Sequence, residues 1–290
     1  MATGTVRLAD GRTLAYEDAG DPGGYPVVLA HGFPGSRLEA RVVGASAAAA
    51  GVRLICPDRP GFGRSDPQPG RQLGDWPTDV AALADQLALA QFAVVGFSAG
   101  GPYALACAAL LPERVSACGL ASSPGPLDRP GSTAGMTTIN RVLFGAGRRA
   151  PVVAGLLLRL IERSARAEPA TVARRMGQGM AAADRRTLTT PTIGEPFGAA
   201  VSEAFRQGSA GPILEAALLV RPWPFVVDQI SAPTIVWHGT DDRNVPAMWA
   251  TELGSRIPRA EVHRVDGAGH LLFLERAESI LGTVRAIASA

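Results

Sequence analysis

Residues 92 to 111 read Phe-Ala-Val-Val-Gly-Phe-Ser-Ala-Gly-Gly-Pro-Tyr-Ala-Leu-Ala-Cys-Ala-Ala-Leu-Leu. The apolar run Phe92 to Val95 predicts a buried strand, and the Ala-rich stretch Gly100 to Leu111 predicts a helix. Between them lies Gly96-Phe97-Ser98-Ala99-Gly100, a Gly-x-Ser-x-Gly pattern on a strand-to-helix turn. Such a turn holds its serine in a strained backbone conformation, with glycines where strand and helix must approach closely. Ser98 is thereby expected to project from the sheet as a nucleophile. The Ala99 N–H, in the first turn of the helix, is expected to face the negative charge that develops beside it. Gly44-Ala45-Ser46 and Gly63-Arg64-Ser65 lack the second glycine, so the pattern occurs once.

Composition excludes several classes. Among 290 residues, 47% are apolar, enough for a large core in one domain or in one domain carrying an insertion. The formal charge of +2 comes from 28 Arg against 26 acids, with no Lys. Schiff-base and pyridoxal-phosphate chemistry need a lysine amine and are excluded. The arginines form no basic block, so no nucleic-acid partner is expected. Cys56, Cys107 and Cys118 occupy apolar positions without Cys-x-x-Cys spacing, which points to buried thiols in a reducing compartment. Met1 to Gly11 has no apolar targeting core, and Val152 to Ile161 is too short to span a bilayer. A cytoplasmic protein with no membrane association is expected.

Outward from the Ser98 turn, strands and helices alternate. Thr5 to Leu8 and Thr13 to Glu17 predict a hairpin across Asp10-Gly11. Pro26 to Ala30, Arg53 to Cys56 and Val115 to Ala121 predict further strands, with helices over Ala40 to Ala50 and Asp75 to Leu89. This rhythm implies an α/β fold with a mostly parallel, doubly wound sheet. It breaks after the sixth strand. From Ser122 to about Asp228 no strand is evident, and helices are expected around Val152 to Arg163, Pro169 to Ala183, Phe197 to Gln207 and Ile213 to Val220. The division expected is therefore residues 1–122 and 229–290 as core and 123–228 as a helical cap. Alternation resumes with strands Thr234 to His238 and Glu261 to Val265 and helices Pro246 to Ile257 and Leu274 to Ala288. The loop His31-Gly32-Phe33-Pro34-Gly35 and those following Thr234 to His238 and Glu261 to Val265 lie at the carboxyl edge of the sheet, where open α/β sheets bind ligands.

A serine hydroxyl needs a base, and the base needs an acid to orient it. Of the four histidines, His31 and His238 stand beside glycines at strand ends and read as loop braces, and His263 lies within a strand. His270, in a glycine-rich loop after the last strand, is the expected base. Asp241 and Asp242 are adjacent candidates for the acid, and only one of them can face His270.

Together, His31-Gly32, Gly96-x-Ser98-x-Gly100, the Asp241-Asp242 turn and Gly269-His270 make the chain resemble the α/β-hydrolases that carry a helical cap. The family's Gly-x-x-Asp-x-x-Val-Pro turn implies Asp242 as the acid. The resemblance also implies an oxyanion hole formed by the amides of Phe33 and Ala99. It implies an acyl-enzyme hydrolase of small or medium esters, with a small-molecule substrate and no cofactor or metal. His31, Gly32, Trp223 and Phe225 are the expected substrate-binding residues, and Leu156, Leu157 and Leu160 the expected apolar cap. Epoxide hydrolases share the His31 to Pro34 pattern but use an Asp nucleophile. Proline-releasing peptidases would use a cap carboxylate, for which Glu195, Glu203 and Glu215 are candidates. Carbon–carbon bond hydrolases and perhydrolases share the triad, with Arg206 or Arg221 as partners for a substrate carboxylate. A receptor that keeps the fold and pocket without turnover is the non-enzymatic alternative. Oligomeric state is not legible.

Overall fold

Continuous β-branched and apolar runs, buried on both faces, build the centre of an eight-stranded sheet in the computed structural model, which describes residues 1–290 apart from the side chains of 146–149 and 151. The strands are β1 (Ala2–Arg7), β2 (Thr13–Gly20), β3 (Tyr25–Ala30), β4 (Val52–Pro57), β5 (Phe92–Phe97), β6 (Val115–Ala121), β7 (Thr234–Gly239) and β8 (Ala260–Val265). Their order is β1-β2-β4-β3-β5-β6-β7-β8. The first two pairings are antiparallel and every later one is parallel. The doubly wound sheet expected from the alternation is thus present, and the predicted hairpin forms its edge.

Helices α1 (Glu39–Ala49), α2 (Trp76–Gln86), α3 (Gly101–Leu110), α4 (Thr138–Arg149), α5 (Pro151–Ser164), α6 (Pro169–Gly177), α7 (Ala182–Thr189), α8 (Pro191–Ala204), α9 (Ala210–Leu219), α10 (Met248–Arg256), α11 (Leu272–Glu275) and α12 (Ala277–Ala288) complete the chain. Helices α1 and α12 pack together across one face of the sheet, while α2, α3 and α10 cover the other. Helices α4 to α9 all fall between β6 and β7 and add no strand among the described residues.

Several boundaries differ from the sequence reading. The helix expected over Asp75 to Leu89 opens with a 3-10 turn at Leu73–Asp75 and ends at Gln86, and Ala88 takes a positive φ of 55°. The helix expected over Pro169 to Ala183 stops at Gly177, and α7 starts separately beyond it. Pro196 lies inside α8, and α4 has no counterpart in the sequence reading. The closing helix expected over Leu274 to Ala288 is two helices broken at Arg276.

Several polar contacts tie the inserted helices to the rest of the chain, three sets of them at α8, α9 and the link between. Glu203 at the end of α8 pairs with Arg37 at 2.7 Å, and Arg37 in turn holds Asp58 at 2.7 Å. Glu215 of α9 meets Arg59 and Arg71 at 2.7 and 2.6 Å. The Gln207 amide donates to the carbonyls of Gly63 and Ser65 at 3.0 and 2.8 Å.

Candidate active site

Ser98 sits at the carboxyl end of β5 with φ 52°, a left-handed conformation that costs a non-glycine residue energy and is held here by the packing around it. The two glycines of the pattern make that packing possible. A Cβ on Gly100 would lie 1.9 Å from the carbonyl oxygen of Ala30, and one on Gly96 would lie 2.5 Å from the Cα of Gly101. Strand and helix therefore meet backbone to backbone, and the serine alone projects. A 3-10 turn, Ser98–Gly100, leads into α3, so the Ala99 N–H stands where no intrahelical carbonyl precedes it.

His270 Nε2 lies 2.9 Å from Ser98 Oγ, and His270 Nδ1 lies 2.8 Å from Asp242 Oδ2. The carboxylate is aimed by its other oxygen. Asp242 Oδ1 accepts the N–H groups of Asn244 and Val245 at 2.8 and 2.9 Å, which leaves Oδ2 facing the imidazole. A proton on Nδ1, shared with the carboxylate, leaves the Nε2 lone pair facing the serine hydroxyl. Burial disfavours the imidazolium, but the Asp242 carboxylate, aided by Asp184 and Glu39, outweighs it and lifts the His270 pKa above the ordinary imidazole value. Asp241, the other sequence candidate, is exposed. Ser122, at φ 51° beyond β6, donates its hydroxyl to the His270 carbonyl at 2.8 Å and fixes that loop.

Phe33 and Ala99 line the cavity that contains Ser98 and His270, as does Gly32. His31 does not. Its ring is fully buried behind the loop: Nε2 accepts the Arg59 N–H at 3.2 Å, which puts the proton on Nδ1, and Nδ1 donates to the Gly32 carbonyl at 2.9 Å. Burial and the nearby Arg59 hold it well below the usual imidazole pKa, so it is neutral and braces the loop rather than touching a ligand.

The cavity encloses about 730 Å³. Its apolar wall comes from Met136, Leu143, Phe144, Ile161, Met176 and Phe197. The substrate-binding expectation for Trp223 and Phe225 is corrected. The two rings stack on each other at 5.3 Å and border a separate depression of about 290 Å³, because the Pro222–Phe225 turn lies outside the cavity wall. Leu156 and Leu160 face outward, 54% and 60% exposed, so they do not supply the apolar lining. Neither do the proposed amine-binding carboxylates reach it: Glu195 is exposed, Glu203 belongs to Arg37, and Glu215 to Arg59 and Arg71. Arg206 and Arg221 are exposed, and the arginines that do border the cavity are Arg175 and Arg243.

Glu39 escaped the sequence reading. It is buried at the start of α1, lines the cavity, and accepts the Gly32 N–H at 2.9 and 3.1 Å. Burial raises its pKa to about 7 against the opposing pull of the Gly32 N–H and the Arg59 charge. Asp184 escaped it too, since nothing in the sequence marks a helix residue 86 positions before His270 as its neighbour. No group of three or more His, Cys, Asp or Glu side chains able to hold a metal occurs among the described residues. No helix among them is long and apolar enough to cross a membrane.

A family model described as alpha/beta hydrolase fold matches residues 25–277. A dihydrolipoyllysine-residue acetyltransferase component of an acetoin cleaving system from Pseudomonas putida is 32% identical over 273 residues. The match takes in 93% of this chain but 65% of that longer protein, so the chain spans less than two thirds of its length. A pimeloyl-[acyl-carrier protein] methyl ester esterase from Aromatoleum aromaticum is 31% identical over 232 residues, 79% of this chain and 84% of that one. Among solved structures, a thermophilic esterase from Thermogutta terrifontis superposes with a TM-score of 0.71 at 24% identity, covering 99% of this chain and 97% of that one, a likeness of fold.

Proposed function

Because the chain belongs to the alpha/beta hydrolase family, we propose that it is a serine hydrolase that cleaves a small or medium carboxylic ester through an acyl-enzyme on Ser98. The observation that carries the reading is the unbroken path from Asp242 through His270 to Ser98, at 2.8 and 2.9 Å, beside a mainly apolar cavity. The similarity to a methyl ester esterase supports the choice of an ester bond.

In this scheme His270 Nε2 takes the Ser98 proton as Oγ attacks the ester carbonyl, and Asp242 stabilises the imidazolium. The N–H groups of Ala99 and Phe33 donate to the oxyanion of the tetrahedral intermediate. As that intermediate collapses, the bond to the leaving oxygen breaks and His270 returns the proton to it, releasing the alcohol. Water then attacks the acyl-enzyme with the same base, and the carboxylic acid departs. The scheme calls for no cofactor or metal. The cavity suits an acyl or alkoxy group of modest size, with Arg175 and Arg243 on its wall.

The test is hydrolysis of short- and medium-chain aryl esters by the wild type and Ser98→Ala side by side. Loss of at least about a thousandfold in kcat is expected in the variant. Equal turnover in both proteins would overturn the reading, and tight binding of an ester without turnover by either would favour a receptor.

A further inference from the structure

The peptide that joins Gly32 to Phe33 is held from one side only. Its oxygen accepts two hydrogen bonds, from His31 Nδ1 at 2.9 Å and from Arg59 Nη2 at 3.0 Å. A trans peptide is a rigid plane in which C=O and N–H point in opposite directions. Anchoring the oxygen toward Arg59 therefore directs the Phe33 N–H away from it, toward the side where Phe33, Ser98 and Ala99 line the cavity. The preceding peptide is fixed as well. Arg59 Nη1 donates to the His31 carbonyl at 2.5 Å, and the Gly32 N–H is taken by Glu39. Among the described residues the Phe33 N–H has no acceptor of its own. The Phe33 N–H is thus left available as a donor on the cavity side of the loop.

Arg59 is thus the hinge pin of the loop, and its own position needs a counter-charge. It is fully buried, and its guanidinium lies 4.6 Å above the centroid of the Tyr103 ring. Its Nε stands 2.7 Å from Glu215 Oε1, close in charge although its N–H is not aligned on the oxygen. Glu215 Oε2 accepts Arg71 Nη2 at 2.6 Å and the Tyr103 hydroxyl at 2.7 Å. Burial alone would raise the Glu215 carboxyl, but Arg59 and Arg71 outweigh it and keep it ionised. Glu215 is the only carboxylate in ion-pair contact with Arg59 among the described residues. It comes from α9, in the helices inserted between β6 and β7.

We propose, resting on the acyl-enzyme reading, that Glu215 is a positioning residue for the oxyanion hole: through Arg59 it sets the orientation of the Gly32–Phe33 peptide, and so aims the Phe33 N–H at the substrate oxygen. The inserted helices thereby supply an electrostatic part of the catalytic geometry in addition to a wall for the cavity. Donors aimed at an oxyanion act chiefly in the transition state. Misaiming one lowers kcat and leaves ester binding nearly unchanged.

The experiment compares wild type, Ser98→Ala and Glu215→Gln. It measures kcat and KM on an aryl ester, active sites titrated with a phosphonate, and the inhibition constant of an arylboronic acid that forms a tetrahedral adduct with the nucleophile. Glu215→Gln is expected to lose about ten- to a hundredfold in kcat per titrated site, part of the cost of deleting a donor outright. KM is expected to stay within about threefold, with boronate affinity weakened by the same factor as kcat. Wild-type kcat per titrated site and wild-type boronate affinity would overturn the proposal, even if the yield of folded protein dropped, since a merely structural role lowers only the number of active sites. If Glu215→Gln does not fold, Glu215→Asp, which keeps the charge but shortens the reach to Arg59, is read by the same criteria. Undiminished turnover in Ser98→Ala defeats the acyl-enzyme reading itself. An inactive Ser98→Ala beside a fully active Glu215 variant defeats only the positioning role.

Discussion

Asp184, on α7, accepts the backbone N–H of Leu271 at 2.8 Å, one residue beyond His270. A helix inserted between β6 and β7 therefore holds the loop that carries His270. The same carboxylate fills the space beside Gly269, where a Cβ would come within 2.3 Å of Asp184 Oδ1. Replacing Asp184 with Ala leaves a buried N–H unpaired, which costs about 1–3 kcal/mol. It also removes one of the charges that lift His270. Chemical denaturation is expected to show the loss of stability, and the acid limb of kcat/KM is expected to move to lower pH.

The wild-type pH profile follows from the sign of the His270 shift. A pKa raised above 6.5 means that the imidazole is still protonated, and useless as a base, at pH values where an ordinary histidine is neutral. The acid limb of kcat/KM is expected above pH 6.5, with activity falling about tenfold per pH unit below it. Stopped-flow or initial-rate measurements from pH 5 to 9 give the limb directly. A limb below 6.5 would contradict the assignment.

Asp242→Asn keeps the shape of the turn but replaces the acceptor facing His270 Nδ1 with an amide. The imidazole loses its counter-charge and its tautomer. A fall in kcat on the order of ten-thousandfold is expected. Asp241→Asn, at an exposed position, is expected to change kcat by less than about threefold.

Glu39 makes a prediction about stability rather than rate. Its pKa in the folded protein, about 7, exceeds the ordinary 4.5, so the folded state binds the proton more tightly than the unfolded chain does. The stabilisation this brings is complete below 4.5 and is lost as pH rises through 7. Its size is on the order of 3 kcal/mol at about 1.4 kcal/mol per pH unit. Glu39→Gln, which never ionises, is expected to raise Tm relative to wild type at pH 8 and to leave it nearly unchanged at pH 4.5. Calorimetry at the two pH values decides the matter.

Gly100→Ala is expected to destabilise the protein by several kcal/mol, on the order of 3 or more, because overpacking against backbone cannot be relieved by a rotamer change. The new methyl would meet the Ala30 carbonyl oxygen at 1.9 Å. Urea denaturation of the variant and of an exposed control such as Gly179→Ala, which has neither a positive φ nor an atom within 4 Å of its added Cβ, isolates the steric cost, since Gly100 itself has φ −71°.

Local patterns carried the reading where local physics decides the outcome. Apolar runs marked the central strands and alternation marked the edge hairpin, and the turn at Ser98 could be read because its glycines, its serine and its following helix adjoin one another. The loops that carry His270 and the Asp241-Asp242 pair were legible because each follows a strand at the same sheet edge, and only the resemblance to the family's turn singled out Asp242. Sequence proximity says nothing of Glu39, Asp184 or the Arg59–Glu215 contact, whose partners are brought together by tertiary packing alone. The substrate-facing expectation for Trp223 and Phe225 failed for a related reason. Aromatic residues announce burial, but stacking on each other satisfied them outside the cavity. Leu156 and Leu160 followed the helical period faithfully and still face outward, because periodicity marks a shared face without saying what covers it.

The ion pairs that join Glu203 to Arg37 and Glu215 to Arg59 and Arg71 bear on how molecules enter. Both carboxylates are at the α8–α9 end of the inserted helices. Lifting that end would separate buried charges, and an arginine cannot shed its charge to ease the separation. Helices α4 and α5 carry no such rivet to the sheet among the described residues, although Leu143, Phe144 and Ile161 from them roof the cavity. Parting the α8–α9 end from the sheet would thus cost more than parting α4 and α5, which no ion pair among the described residues joins to it.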